Sequence, residues 1–161
     1  MLVENKPHKG FYLETDAALS AKFTEAGFGF EEGFTPLEAG YLVKIKRASF
    51  ESGTLDSFVA AQKKKDKIFP FALEVYFQIR STGRMVRPYS KGIKYLRAYA
   101  PGVGRLQERP SQLIALLPGS VPSAKTLADE VKVAHLARLD LIIATGTEKE
   151  IRYYKISSFN W

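Results

Sequence analysis

The order of apolar and polar positions divides this chain into a series of short helices and strands. The first ten residues read as a loose tail. Phe11-Tyr12-Leu13 reads as a short strand, and a helix follows over 16–26, opened by Thr15 or Asp16 as N-cap and closed by Gly27. Phe28-Gly29-Phe30 reads as another strand. Thr35-Pro36-Leu37-Glu38 fits a capping box with proline at the first helical position, and so begins a helix carrying Tyr41, Leu42 and Ile45. Ala48-Ser49-Phe50 is a further strand candidate, and Thr54 starts an amphipathic helix that ends near Lys65. These elements make a small α/β unit over 11–68. The run Lys63-Lys64-Lys65-Asp66-Lys67 suits the negative end of that helix, an RNA contact being the alternative.

From residue 69 the texture changes. Pro70 opens a helix over 71–82 with Gly83 just past its end. Residues 84–89 and 93–99 read as two strands around Ser90-Lys91-Gly92. The stretch 101–111 is too rich in proline, glycine and charge to be other than a loop. Residues 112–117 read as a buried strand ended by Pro118-Gly119. A helix spans 124–137, with Leu127, Val131, Ala134 and Arg138 recurring along one face. Residues 141–145 read as a core strand, 146–150 as a turn and 151–157 as a last strand. The fold class expected is mixed α/β. A tail (1–10) and the small N-terminal unit (11–68) precede a domain of 69–161, which has a central mixed sheet and flanking helices. No internal repeat or low-complexity segment interrupts it.

Composition narrows the partners. At 45% hydrophobic and 25% charged, the 161 residues are enough to bury a core. No apolar run approaches the ~20 residues that span a bilayer, and the opening MLVENKPHKG lacks the order of a secretion signal. An intracellular, cytoplasmic protein without a membrane partner is expected. There is no cysteine and only His8 and His135, which removes disulfides and thiolate metal sites and disfavours a histidine centre. An all-carboxylate site stays open, but no metal site or cofactor is expected. The net charge of +7 is uneven. Residues 1–68 hold ten basic and ten acidic side chains, whereas 69–161 hold fourteen basic and seven acidic ones. An excess confined to one region suits a polyanion at that region, or a solvated basic face.

Three ordered stretches resemble the archaeal tRNA-splicing endonuclease family. Val75-Tyr76-Phe77-Gln78-Ile79-Arg80-Ser81-Thr82-Gly83-Arg84-Met85-Val86, followed by Leu96-Arg97-Ala98-Tyr99, is similar to that family's Y-x-D-L-R-x-x-G-Y-V-V helix end and its F-R-V-Y strand. Gln112-Leu113-Ile114-Ala115-Leu116-Leu117-Pro118 is similar to its strand after a His-Ser pair. Val131-Lys132-Val133-Ala134-His135-Leu136-Ala137-Arg138, running into Leu141-Ile142-Ile143-Ala144, resembles its V-R-L-A-H-S-V-R-K helix and the strand behind it. The match covers nearly all of 69–161 and continues more weakly at 25–29 and 37–42.

The resemblance implies metal-independent RNA cleavage, in which a ribose 2′-hydroxyl attacks the adjacent phosphate. That reaction uses a base at the 2′-hydroxyl, an acid at the leaving 5′-oxygen and a cation beside the phosphorane. The family assigns them to Tyr, His and Lys. Here Tyr99 falls at the tyrosine position, Arg109 at the histidine position and Leu139 at the lysine position. A lone tyrosine is a weak base at neutral pH, a guanidinium holds its proton too firmly to act as an acid, and leucine stabilises no charge. His135 matches a non-catalytic histidine of the helix motif. The resemblance therefore implies a non-catalytic, structural subunit of the crenarchaeal type, paired with a catalytic subunit as α2β2 and acting on precursor tRNA at bulge–helix–bulge sites. It also implies an assembly role for the closing turn, through Glu148 and Glu150, with mixed charge from Lys149. The last strand would add an interface through Ile151, Tyr153 and Tyr154, extended by Phe159 and Trp161. Lys132 falls at a base-clamping arginine position, and Lys94, Arg97, Arg105 and Arg109 are candidate phosphate contacts. Two alternatives stay open: a self-sufficient endonuclease using Tyr99 with Arg109, and a nucleic-acid-binding module unconnected with splicing.

Overall fold

The computed structural model of the chain describes residues 1–89, 92–102 and 109–157. Its described residues separate into two units, Met1–Leu73 and those from Glu74 onward.

In the first unit, β1 (Leu2–Glu4) pairs antiparallel with β2 (Tyr12–Glu14). This corrects the expected tail. Leu2 is buried, its N–H donates to Ser49 O at 2.7 Å, and its own carbonyl accepts from Glu51 N. An apolar Leu-Val pair at the terminus finds a partner strand, and the polar residues after it form the connection between the two strands. Helix α1 (Ala17–Glu25) starts at Asp16, whose carboxylate accepts from Ala18 N and Leu19 N. Phe28-Gly29-Phe30 is not a strand. Gly27 and Gly29 take positive φ of 81° and 79°, and only a single bridge joins Phe30 to Gly33. Helix α2 (Pro36–Lys44) has the expected capping box, drawn deep into the unit. The fully buried Glu38 carboxylate accepts from Gly29 N at 3.0 Å, Thr35 N at 2.8 Å and Thr35 Oγ1 at 3.0 Å. Helix α3 (Leu55–Lys65) is capped by Thr54, and its last turn carries Lys63, Lys64 and Lys65, where the dipole favours cations.

Helix α4 (Phe69–Ser81) leads into the second unit, whose sheet has the order β3-β4-β5-β6-β7. Its strands are β3 (Val86–Pro88), β4 (Tyr95–Ala98), β5 (Gln112–Pro118), β6 (Asp140–Thr147) and β7 (Glu150–Ile156). Only β5 and β6 are parallel, because α5 (Ala124–Ala137) crosses over between them. Ser123 caps α5 through Thr126 N. Leu113, Ala115, Leu141 and Ile143 pack with Ala134 of α5 on one face of the sheet. Burying each large apolar side chain there contributes about 1.5–3 kcal/mol. Residues of the α4 C-terminal half, Gln78 and Ile79, line a cavity on the other face with Ile114 and Ile142.

The strands differ from the expected ones in length. The β3–β4 pair is short, although Tyr89 N to Tyr95 O and Tyr99 N to Met85 O extend its hydrogen bonding beyond both ends. Gly146 belongs to β6 instead of the turn, which narrows to Glu148 and Lys149. Its φ is 107°, and a Cβ built there would lie 2.2 Å from Glu150 O, so only glycine fits. No helix among the described residues is long and apolar enough to cross a membrane.

Candidate functional site

Three strands bring the family-matched positions to one end of the sheet. Ala98 pairs with Gln112, and Gln112 pairs with Asp140. Tyr99 follows the first of these, Ser111 precedes the second and Leu139 precedes the third. The backbone links them: Ser111 N donates to Ala98 O at 3.0 Å, and Asp140 N donates to Ser111 O at 3.1 Å. Arg109 lies two residues before Ser111 and is exposed. Tyr99 is only 2% exposed. Leu139 packs against the cluster of Leu113, Ala134 and Leu141. Its approach is set by Arg138, which ends α5 in the left-handed region at φ 55°. Beside Leu139 a cavity of about 390 Å³ is lined by His135, Asp140 and Lys155. The Lys155 ammonium there is paired with Asp140 at 2.9 Å. This end of the sheet thus offers a buried phenol, an exposed guanidinium and an apolar side chain.

The candidate RNA contacts fall in different settings. Lys94 donates to Glu130 at 2.8 Å and lies 4.9 Å from the centre of the Tyr95 ring. The Glu130 side chain is 3% exposed, so this ammonium neutralises a buried carboxylate. The hydrogen bond to Glu130 pushes the Lys94 pKa up, and burial raises that of Tyr95. Arg97 sits over the Tyr89 ring at 5.6 Å. Lys132 is exposed on α5, 3.5 Å from Asp129. Arg105 lies outside the described residues.

The β3–β4 register adds residues that the sequence did not single out. Arg87 and Arg97 are directly opposed, so both side chains share a face. Tyr89 and Tyr95 share that face as well, their rings edge to face at 6.5 Å. Glu130 was also missed, since nothing in the sequence ties it to Lys94. The one available signal was the alternation Arg87-Pro88-Tyr89 against Tyr95-Leu96-Arg97, which places aromatic and cationic side chains on one side if the strands pair in this register.

At the far edge, β7 is paired on one side only among the described strands. Tyr153 and Tyr154 are about 40% exposed, Ile151 is half-buried, and Glu148 and Glu150 are exposed. Glu150 accepts from Arg152 Nε at 3.0 Å, which holds the arginine pKa up. The Tyr153 hydroxyl donates to Gln78 Oε1 at 2.8 Å, and burial pushes its pKa up to about 12. Phe159 and Trp161 lie outside the described residues. Tyr153 also lines the α4-face cavity of about 430 Å³, where Arg84 donates to Gln112 Oε1 at 2.9 Å.

The chain is similar to tRNA-splicing endonucleases. A protein of that name from Thermococcus gammatolerans is 28% identical over 163 residues, covering 91% of this chain and 95% of its own. Namesakes from Thermococcus kodakarensis and Thermococcus onnurineus are each 28% identical over 126 residues. They cover 74% of this chain and 73% and 72% of their own lengths. No protein-family model matches the chain.

Proposed function

We propose that this chain is the structural subunit of a heteromeric tRNA-splicing endonuclease. Its similarity to proteins of that name, spread over 91% of the chain, supports a role in tRNA splicing. The observation that carries the subunit assignment is Leu139. The sheet end where it lies joins β4, β5 and β6, yet it holds an apolar side chain packed into the core where a phosphorane-stabilising cation belongs. An exposed Arg109 in place of an acid points the same way. A catalytic partner subunit would then supply the base, acid and cation. The complex would cut precursor tRNA at bulge–helix–bulge sites, leaving a 2′,3′-cyclic phosphate and a 5′-hydroxyl. This chain would hold the partner through the Glu148–Glu150 turn and the free edge of β7, within an α2β2 assembly. Its basic second unit would meet the RNA through shape and backbone contacts.

Reconstitution of precursor cleavage tests the assignment. This chain alone should not cleave, and addition of the catalytic subunit should restore cleavage. Tyr99→Phe and His135→Ala in this chain should leave the complex active. Loss of cleavage in either variant, with the complex still assembled, would show that this subunit contributes to the chemistry.

A further inference from the structure

Between the C-terminal half of α4 and the sheet lies the cavity of about 430 Å³, within the size range of small-ligand sites. Its walls are apolar: Ile79 from α4, Ile114 from β5, Ile142 from β6 and the Tyr153 ring from β7. Gln112, also in the lining, opens β5 directly after Ser111. Arg84 precedes Met85, whose carbonyl accepts from Tyr99 N at 3.0 Å. The cavity therefore starts at the end of the sheet that carries Tyr99 and Leu139.

The hydrogen bonds along its rim decide which chemistry fits. A guanidinium can only donate, so the Arg84 bond to Gln112 Oε1 at 2.9 Å fixes that carboxamide with its N–H2 group left over. Gln78 Oε1 is taken in the same way, by the Tyr153 hydroxyl at 2.8 Å. What these amide and guanidinium groups have left to offer, among the described residues, is donors: two N–H2 groups and the remaining N–H groups of Arg84. Gln78, Arg84 and Gln112 are half-buried, so the donors are open to a ligand. An anion is a poor fit. Burial and then the Glu74 carboxylate push the Tyr153 pKa up to about 12, so negative charge already acts on this cavity. The chemistry that fits is a neutral, largely apolar body with a hydrogen-bond acceptor at its leading edge.

A nucleobase presents to a pocket the edge farthest from its ribose. In uracil and guanine that edge carries a carbonyl oxygen, whereas in cytosine and adenine it carries an amino group. Donors select the carbonyl bases, because an amino group would face them unpaired. The base must also be unpaired, since pairing occupies the same edge. We infer that this cavity binds one unpaired uracil or guanine of RNA, its carbonyl on the Gln112 amide and Arg84. The inference rests on the RNA reading proposed above and names the class of base that this subunit recognises. Strand pairing along β7 uses backbone groups at its edge, whereas Tyr153 meets the cavity through the sheet face, so the two contacts do not compete.

The test is fluorescence anisotropy of the full chain with labelled ten-nucleotide oligouridylate and oligocytidylate, strands that differ at this edge. Wild type should prefer the uridylate about tenfold, the effect of one hydrogen bond made against one lost. Gln112→Glu keeps a partner for Arg84 and the side-chain shape, but turns the N–H2 donor into an acceptor. It should bring the ratio of the two affinities to about one or below. The added charge weakens both probes alike, so the ratio reports the base. Thr82→Trp, at an exposed position of the lining, should fill the space and abolish the preference while the salt slope stays as in wild type. Thermal melts check that both variants are folded. Equal affinity of wild type for the two strands, or binding to neither, would overturn the inference. So would a wild-type ratio in folded Gln112→Glu and Thr82→Trp. If these variants kept that ratio but failed to join a catalytic subunit in sedimentation velocity, the cavity would be a protein contact and the inference wrong. Precursor cleavage by the reconstituted wild-type complex is read in parallel: cleavage without a base preference would remove this site and leave the proposed function standing.

Discussion

Replacing Lys94 by methionine tests whether that residue belongs to the RNA surface or to the framework. Its ammonium is 2.8 Å from a Glu130 oxygen; the Lys94 side chain is 51% exposed and that of Glu130 is 3% exposed. The second Glu130 oxygen is closed to solvent and has no partner among the described residues. Breaking a fully buried pair from one side costs about 3–5 kcal/mol, whereas exposed pairs contribute about 0–1 kcal/mol. With one partner buried and the other half in water, the expected loss is about 2 kcal/mol. For a chain of this size that lowers the melting temperature by about 4–8 °C. The double variant Lys94→Met with Glu130→Leu should recover most of the loss, because an apolar pair replaces a stranded charge. The pH dependence has a definite sign. Hydrogen bonding to Glu130 raises the folded-state pKa of Lys94 above its ordinary value. The stabilisation is therefore fully present below the unfolded pKa, about 10.4, and is lost as pH rises through the folded one. Thermal melts of the wild type and Lys94→Met should differ by a constant amount at neutral pH and converge in alkali. A loss below about 0.5 kcal/mol, with RNA affinity strongly reduced, would show that the ammonium serves the ligand and not Glu130.

Other perturbations have equally direct readouts. Glu38→Ala strands the buried Gly29 and Thr35 backbone donors and should destabilise by about 3 kcal/mol in a urea melt; a loss below 1 kcal/mol would mean that the two donors find other partners. Gly146→Ala puts a Cβ 2.2 Å from Glu150 O at a φ of 107°, so a loss of about 2 kcal/mol or more is expected, and an unchanged melt would contradict the β6–β7 geometry. Tyr153→Phe removes the hydroxyl that donates to Gln78, at about 1 kcal/mol. Because burial raises the Tyr153 pKa to about 12, above about 10 in the unfolded chain, wild-type stability should fall over pH 10–12 by a component that the phenylalanine variant lacks. Matching alkaline profiles would count against that burial. Glu148→Gln combined with Glu150→Gln should weaken association with a catalytic subunit in sedimentation velocity, and undiminished assembly would remove the turn from the proposed interface.

What the sequence made legible was local chemistry. Thr35 and Glu38 announce the start of α2 because a capping box is closed within four residues. The ends of α5 were readable for the same reason: its apolar face repeats within fourteen residues, and both ends have local signals. The misread tail failed on the opposite ground. Leu2 is held by Ser49 and Phe50 from far along the chain, and no local pattern reports such a partner. Phe28-Gly29-Phe30 looked like a strand by composition, but its glycines turn the backbone out of the extended region.

The candidate site divides along the same line. Motif resemblance alone named Tyr99, Arg109 and Leu139 as candidates, whereas the β4-β5-β6 pairing that brings the neighbours of Tyr99 and Leu139 to one end of the sheet joins strands far apart in sequence. Which cations are available to RNA was not legible, since that depends on what stands opposite each one. Lys94 and Arg97 look equivalent in sequence, three residues apart on the same strand region. The fold gives Lys94 a buried carboxylate from α5 and gives Arg97 a second arginine across the hairpin. The basic excess of residues 69–161 is therefore a poor map of RNA contacts until each charge is set against its neighbours.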